Sequence, residues 1–202
     1  MSTAFSPYGL KPSRSNVGEV RVNEYPIASA YGTNIFKGDP VLLGTDGTIT
    51  AVAATGGTAQ NGTYLGVFQG CNSQTFVRGW SEFYPASTTA NDLVALVYDS
   101  RDTIFDAQIG SSGTARTQAN TVGANANYTL GTGSTLIGQS AAYLTDSTIG
   151  TTATLPFKIL KFIQKGTNAP SPANGTASDA YPDVEVIWNA GVTFKDSSTG
   201  VA

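Results

Sequence analysis

The chain has 202 residues, with 11 Lys plus Arg against 14 Asp plus Glu for a formal net charge of −3. Charged side chains make up 12% of it, about half the usual share of roughly 25%. Hydrophobic residues reach 40% and histidine is absent; this reads as a globular chain without Ser-His-Asp or Cys-His catalysis, His-ligated metal or the commonest general base.

Residues 1–24 carry Pro7, Pro12 and several serines with little periodicity. They read as an extended arm outside the core, which would order on a partner by laying apolar side chains into pockets. Phe5, Tyr8, Leu10, Lys11 and Arg14 are its candidate contacts. Short strands separated by turns then follow over 25–98: Pro26 to Ala30, Val41 to Leu43, Thr48 to Ala53, Tyr64 to Cys71, Phe76 to Tyr84 and Leu93 to Val97. Gly38-Asp39-Pro40 and Asp46-Gly47 are turn signals between apolar runs. Strands at this spacing predict a sandwich or barrel.

Over 99–195 the pattern predicts a second small barrel or sheet. Thr103 to Ile109, Ala141 to Leu144, Leu155 to Gln164 and Asp183 to Asn189 have strand character. Thr114 to Asn127 is rich in Ala, Gln and Asn and suits a short helix weakened by Gly123. The stretch 166–182, with Pro170, Pro172 and Pro182, reads as a long loop, and 196–202 as a frayed tail. The expected architecture is therefore all-β, in one or two small β units.

The strongest specific signal is Tyr25-Pro26-Ile27-Ala28-Ser29-Ala30-Tyr31-Gly32-Thr33-Asn34-Ile35-Phe36-Lys37-Gly38-Asp39-Pro40-Val41-Leu42-Leu43. Around it, in order, lie Tyr8-Gly9-Leu10-Lys11-Pro12, Asp46-Gly47-Thr48-Ile49, Leu65-Gly66-Val67-Phe68-Gln69-Gly70-Cys71, Phe83-Tyr84-Pro85-Ala86 and Phe105-Asp106-Ala107-Gln108. A strand pair near Phe157 to Ile163 and Val184 to Trp188 completes the series. Together they resemble tailed-bacteriophage virion structural proteins of the capsid decoration, or cement, family. The resemblance implies a non-enzymatic subunit on the exterior of a phage head, made in the bacterial cytoplasm, with the major capsid protein lattice as partner. Head lattices present three-fold positions, so a homo-trimer is the expected assembly. A low-charge surface suits such packing, because interface cores are depleted of charged residues. Scattered cations without a basic run argue against direct nucleic-acid contact, and no charged n-region with an apolar stretch, nor an apolar run near 18 residues, points to a membrane.

No cofactor or metal is expected. Three aspartates in Asp99-Ser100-Arg101-Asp102-Thr103-Ile104-Phe105-Asp106 could offer oxygens to calcium, but the EF-hand spacing is missing, and turn aspartates commonly bond nearby backbone. Arg101 is expected to pair with a neighbouring aspartate. Lys158, Lys161 and Lys165 read as solvent-facing positions. Cys71 has no partner in the chain and reads as a buried side chain. Trp80, Phe83, Tyr84, Trp188 and Phe194 could form a carbohydrate platform, making a glycan-binding module the alternative beside a tail or baseplate role; aromatic strand residues more commonly pack in cores.

Overall fold

The computed structural model describes residues 5–55, 63–110, 115–163 and 178–197. In chain order the strands are β1 (Lys11–Ser15), β2 (Asn23–Pro26), β3 (Ile35–Phe36), β4 (Pro40–Leu43), β5 (Ile49–Ala51), β6 (Tyr64–Asn72), β7 (Trp80–Ser81), β8 (Phe83–Tyr84) and β9 (Val94–Tyr98). They continue with β10 (Thr103–Gly110), β11 (Arg116–Thr117), β12 (Asn125–Ala126), β13 (Tyr128–Thr129), β14 (Tyr143–Thr145), β15 (Phe157–Phe162), β16 (Ser178–Asp179) and β17 (Asp183–Trp188). The expected helix is a single turn, α1 (Gln118–Thr121), and Gly123 follows it with a φ of 85° that stops it. The fold is all-β.

The first β unit has the antiparallel order β2-β9-β6-β4-β5. Just past β2, Ile27 bridges Ile49 of β5, which brings the two edges of the sheet together into a nearly closed barrel. Its core holds Ile27, Ile35, Val41, Ile49, Leu65, Phe68, Cys71, Tyr84, Leu93, Ala95 and Val97. Burial pushes the Cys71 thiol pKa up to about 12, so it stays protonated. At the β4–β5 hairpin, Gly47 takes a φ of 77° and the Asp46 carboxylate accepts the Thr48 N–H at 3.0 Å, the turn chemistry its sequence announces.

The second unit runs β12-β15-β17-β10-β14-β13. Since β12 and β13 flank Asn127 in one continuous segment, that segment bonds β15 on one side and β14 on the other, and the ring closes. Period-two alternation sends Phe105, Ala107 and Ile109 inward from β10, Phe157 and Ile159 from β15, and Val184, Val186 and Trp188 from β17. Burying each large apolar side chain contributes about 1.5–3 kcal/mol.

Strand β6 joins the two units because it is buried on both faces. Leu65, Phe68 and Cys71 belong to the first core, and Tyr64 and Val67 to the second. The Tyr64 ring lies 5.3 Å from that of Trp188, and its hydroxyl is 3.2 Å from the Tyr128 hydroxyl. Between these residues Gly66 allows close approach: a Cβ there would lie 2.2 Å from the Tyr98 carbonyl oxygen.

Both ends of the described chain cross to the other unit. Residues 5–15 precede the first barrel but pack on the second: β1 pairs antiparallel with β10, from Lys11 opposite Asp106 to Ser15 opposite Thr103. The expectation of a detached arm over 1–24 is thus corrected for its described part. Lys-Pro-Ser-Arg-Ser lacks apolar alternation because this strand is held by backbone bonds and turns its side chains outward. At the other end, Phe194 packs against the first core and its N–H bonds the Tyr64 carbonyl at 2.9 Å. Asp196, expected in a frayed tail, is fixed: it accepts the Gly191 N–H at 3.0 Å and pairs with Arg101. The expected loop 166–182 lies mostly outside the described residues, as does Lys165; its described end contains β16, which pairs with β11.

Candidate partner-binding groove

A groove of about 370 Å³ lies where the two barrels meet. Its lining combines Tyr8, Leu10, Lys11 and Pro12 from the N-terminal segment, Lys37 and Gly38 from the turn before β4, and Phe68, Gln69 and Tyr98 from β6 and β9. Glu82, Ile137 and Gln139 complete it. A volume of this size falls within the range of ordinary ligand pockets.

Backbone geometry fixes the rim. Gly38 has a φ of 96°, and a Cβ there would lie 3.1 Å from the Leu10 nitrogen, so glycine lets the turn touch the N-terminal segment. The Leu10 N–H donates to the Gly38 carbonyl at 2.9 Å. On the other side, residues 131–140 form a tongue tied to the turn by the Lys37 N–H to the Gly138 carbonyl at 2.9 Å and the Ser140 N–H to the Lys37 carbonyl at 3.0 Å. The tongue presents Leu136, 92% exposed, and Ile137, 56% exposed.

Asp39 anchors this arrangement. Its buried carboxylate accepts the Phe36 N–H at 2.8 Å and the Ser140 hydroxyl at 2.5 Å. Burial raises its pKa to about 6 against the downward pull of those two bonds. Asp39 therefore couples the turn to the base of the tongue.

The polar inventory of the groove is rich in donors. The Lys11 ammonium has no partner among the described residues. Lys37 meets Glu82 at 3.3 Å, an exposed pair of little energetic weight. Tyr98 donates to the Gln69 carbonyl oxygen at 2.5 Å, which leaves the Gln69 amide N–H₂ available. Gln139 donates to the Tyr8 carbonyl at 3.3 Å.

The five contact residues proposed from sequence have different fates. Tyr8, Leu10 and Lys11 meet at the groove, but Leu10 is 3% exposed and belongs to the second core, so it cannot be a detachable anchor. Tyr8 donates its hydroxyl to Asp183 at 2.9 Å, and burial foremost, then that carboxylate, raises its pKa. Phe5 packs edge-on to Tyr143 with ring centroids 4.9 Å apart, in a space that Gly110 leaves open. Arg14 bonds Glu185 at 2.8 Å, and Lys161 bonds the same carboxylate at 2.9 Å. These contacts staple the segment to the second barrel. Lys37, Gln69, Glu82, Tyr98, Ile137 and Gln139 were not legible as site residues, because five segments distant in sequence bring them together.

The aspartate series around Asp99 serves the junction. Asp99 is buried and accepts from both Asn23 at 2.9 Å and Tyr25 at 2.5 Å, and pairs with Lys195 at 2.5 Å. Desolvation pushes its pKa up, but the bonds from Lys195, Tyr25 and Asn23 outweigh it and hold the carboxyl below its ordinary value. Arg101 pairs with Asp196 and not with a sequence neighbour, correcting the expectation. Among the described residues no group of three or more acidic or Cys side chains is placed to hold a metal ion.

Of the aromatic candidates, Tyr84 and Trp188 are buried in the two cores. Trp80 lies against Gly70, whose added Cβ would meet the indole at 2.3 Å. Phe83 stacks on Phe36 with centroids 5.6 Å apart, and Gly133 packs against the Phe36 ring. Their faces are used for packing. No helix among the described residues is long and apolar enough to cross a membrane. Neither family models nor comparisons with curated proteins and solved structures match the chain.

Proposed function

We propose that this protein is a non-enzymatic structural subunit that decorates and stabilises the icosahedral head of a tailed phage. The reading comes from the sequence resemblance, and the observation that best supports it is the tongue at 131–140. Leu136 and Ile137 stand in solvent on a rim fixed by backbone bonds, and exposed apolar side chains beside a groove suit burial against another protein. The partner is the major capsid protein lattice, and the site of action is the head exterior. The subunit acts as a homo-trimer, so that several weak lattice contacts sum by avidity.

Binding the assembled lattice in preference to free subunits stabilises the assembled state and slows rupture. Heads lacking the protein should form but burst earlier on heating, and added purified protein should restore their resistance. Equal heat resistance of bare and decorated heads overturns the cementing role, and attachment confined to the tail moves the protein to a tail or baseplate role.

A further inference from the structure

We infer that the groove between the barrels is the partner-recognition site and that it takes a short extended peptide in which an acidic side chain alternates with apolar ones. This rests on the reading of the protein as a lattice-binding subunit, and it names the chemistry of the lattice segment that docks.

Charge complementarity selects that occupant. The chain as a whole carries −3, but the groove has two ammonium groups, Lys11 and Lys37, against one carboxylate, Glu82. Glu82 already faces Lys37, while Lys11, cross-strand from Asp106, makes no ion pair among the described residues and keeps its ammonium for a partner. The Gln69 amide adds a neutral donor, since its oxygen is taken by Tyr98. An excess of donors calls for an acceptor, and a carboxylate meeting an ammonium makes a charge-assisted hydrogen bond of about twice the neutral strength.

The remaining lining is apolar and two-sided. Leu10 and Phe68 form a buried floor, and the surface left to a partner is that of Pro12 and Tyr98 on the barrel side and Ile137 on the tongue. Ile137, 56% exposed, has apolar area left to bury. Successive side chains of an extended peptide point to opposite sides, so one apolar residue can lie against Ile137 while its neighbour's carboxylate reaches Lys11. The site is preformed, because Asp39 and the backbone bonds at Lys37 hold the tongue in place, and preformation reduces the ordering cost of binding.

The test is titration of the full-length protein with two blocked hexapeptides, one alternating leucine and aspartate, the other leucine and lysine. NMR of labelled protein locates the site through Gly38 and Gln69. The aspartate peptide should bind at the groove, at least tenfold tighter than the lysine peptide, and lose affinity as salt rises. Lys11→Glu should reverse the preference, and Ile137→Asp, on the exposed tongue, should weaken the aspartate peptide at least fivefold while the fold is retained. Equal binding of both peptides, no binding at millimolar concentration, or unchanged preference in folded Lys11→Glu overturns the inference. Head binding without peptide selection defeats the groove and leaves the decoration role; peptide selection without head binding defeats the decoration role and leaves the groove.

Discussion

The two barrels are built alike and held differently. The first closes through a bridge between Ile27 and Ile49 over a mainly aliphatic core that also holds Phe68 and Tyr84. The second closes through a continuous segment paired on both sides, over an aromatic cluster in which Phe157 and Trp188 lie 4.5 Å apart and Tyr128 stands edge-on to Phe157. Each also needs a piece from across the chain: the second takes residues 5–15 and Tyr64, and the first takes Phe194 and Lys195. With ends crossed in this way, neither unit is complete alone. A boundary near residue 98 separates the sheets except for β1, and it does not separate the cores.

The largest expected effect follows from removing a crossed end. Deleting residues 1–15 strips β1 from β10 and uncovers Leu10's place in the second core, so circular dichroism and tryptophan fluorescence should report loss of the native fold near 25 °C. A truncated protein with native stability would return this segment to the status of a dispensable arm. Next, Trp188→Ala should cost about 3–5 kcal/mol by emptying the centre of the aromatic cluster. Urea unfolding should show one transition for both barrels, and two separated transitions would mean that β6 does not couple them. Gly66→Ala is expected to cost about 3 kcal/mol, since its Cβ must push Tyr98 away at the seam between barrels. A change below about 0.5 kcal/mol would show that the seam is loosely packed.

An effect no larger than that of Gly66→Ala is a pH dependence. Folded Asp39 holds its proton up to about pH 6, whereas the unfolded side chain releases it near 3.8. The folded state therefore binds more protons between these values, and stability falls as pH rises from about 4 to about 6, by up to about 3 kcal/mol from this group. Asp99, Glu185 and Asp196 act in the opposite direction: their carboxyls are held low in the fold, so their contribution is lost as pH drops below about 4. Asp39→Asn should flatten the slope between pH 4 and 6 in denaturant titrations while leaving the acid limb. An unchanged slope would assign it to other groups.

Much of the barrel architecture was legible because its central strands are apolar enough to announce themselves. Tyr64 to Cys71 reads as a continuous run since both faces of β6 are buried in apolar surroundings, and Val184, Val186 and Trp188 alternate since one face of β17 meets the apolar core while the other buries Asp183 and Glu185 against Tyr8 and Arg14. Strand β1 was not legible, as Lys-Pro-Ser-Arg-Ser is recruited by backbone pairing to a strand about 90 residues away. The pairing of Asp39 with Ser140, 101 residues apart, leaves no local trace either. Tyr8 and Lys11 were singled out as anchors of a free arm; the structure turns them into one wall of a groove whose other walls come from distant segments.

The measurement closest to the proposed decoration role is electron cryomicroscopy of tailed-phage particles assembled with this protein. The account predicts density for the two-barrel subunit at regularly repeated positions over the head exterior, with Leu136, Ile137 and the groove facing the capsid lattice. Density confined to the tail, or a head-bound subunit with this face turned to solvent, would contradict it.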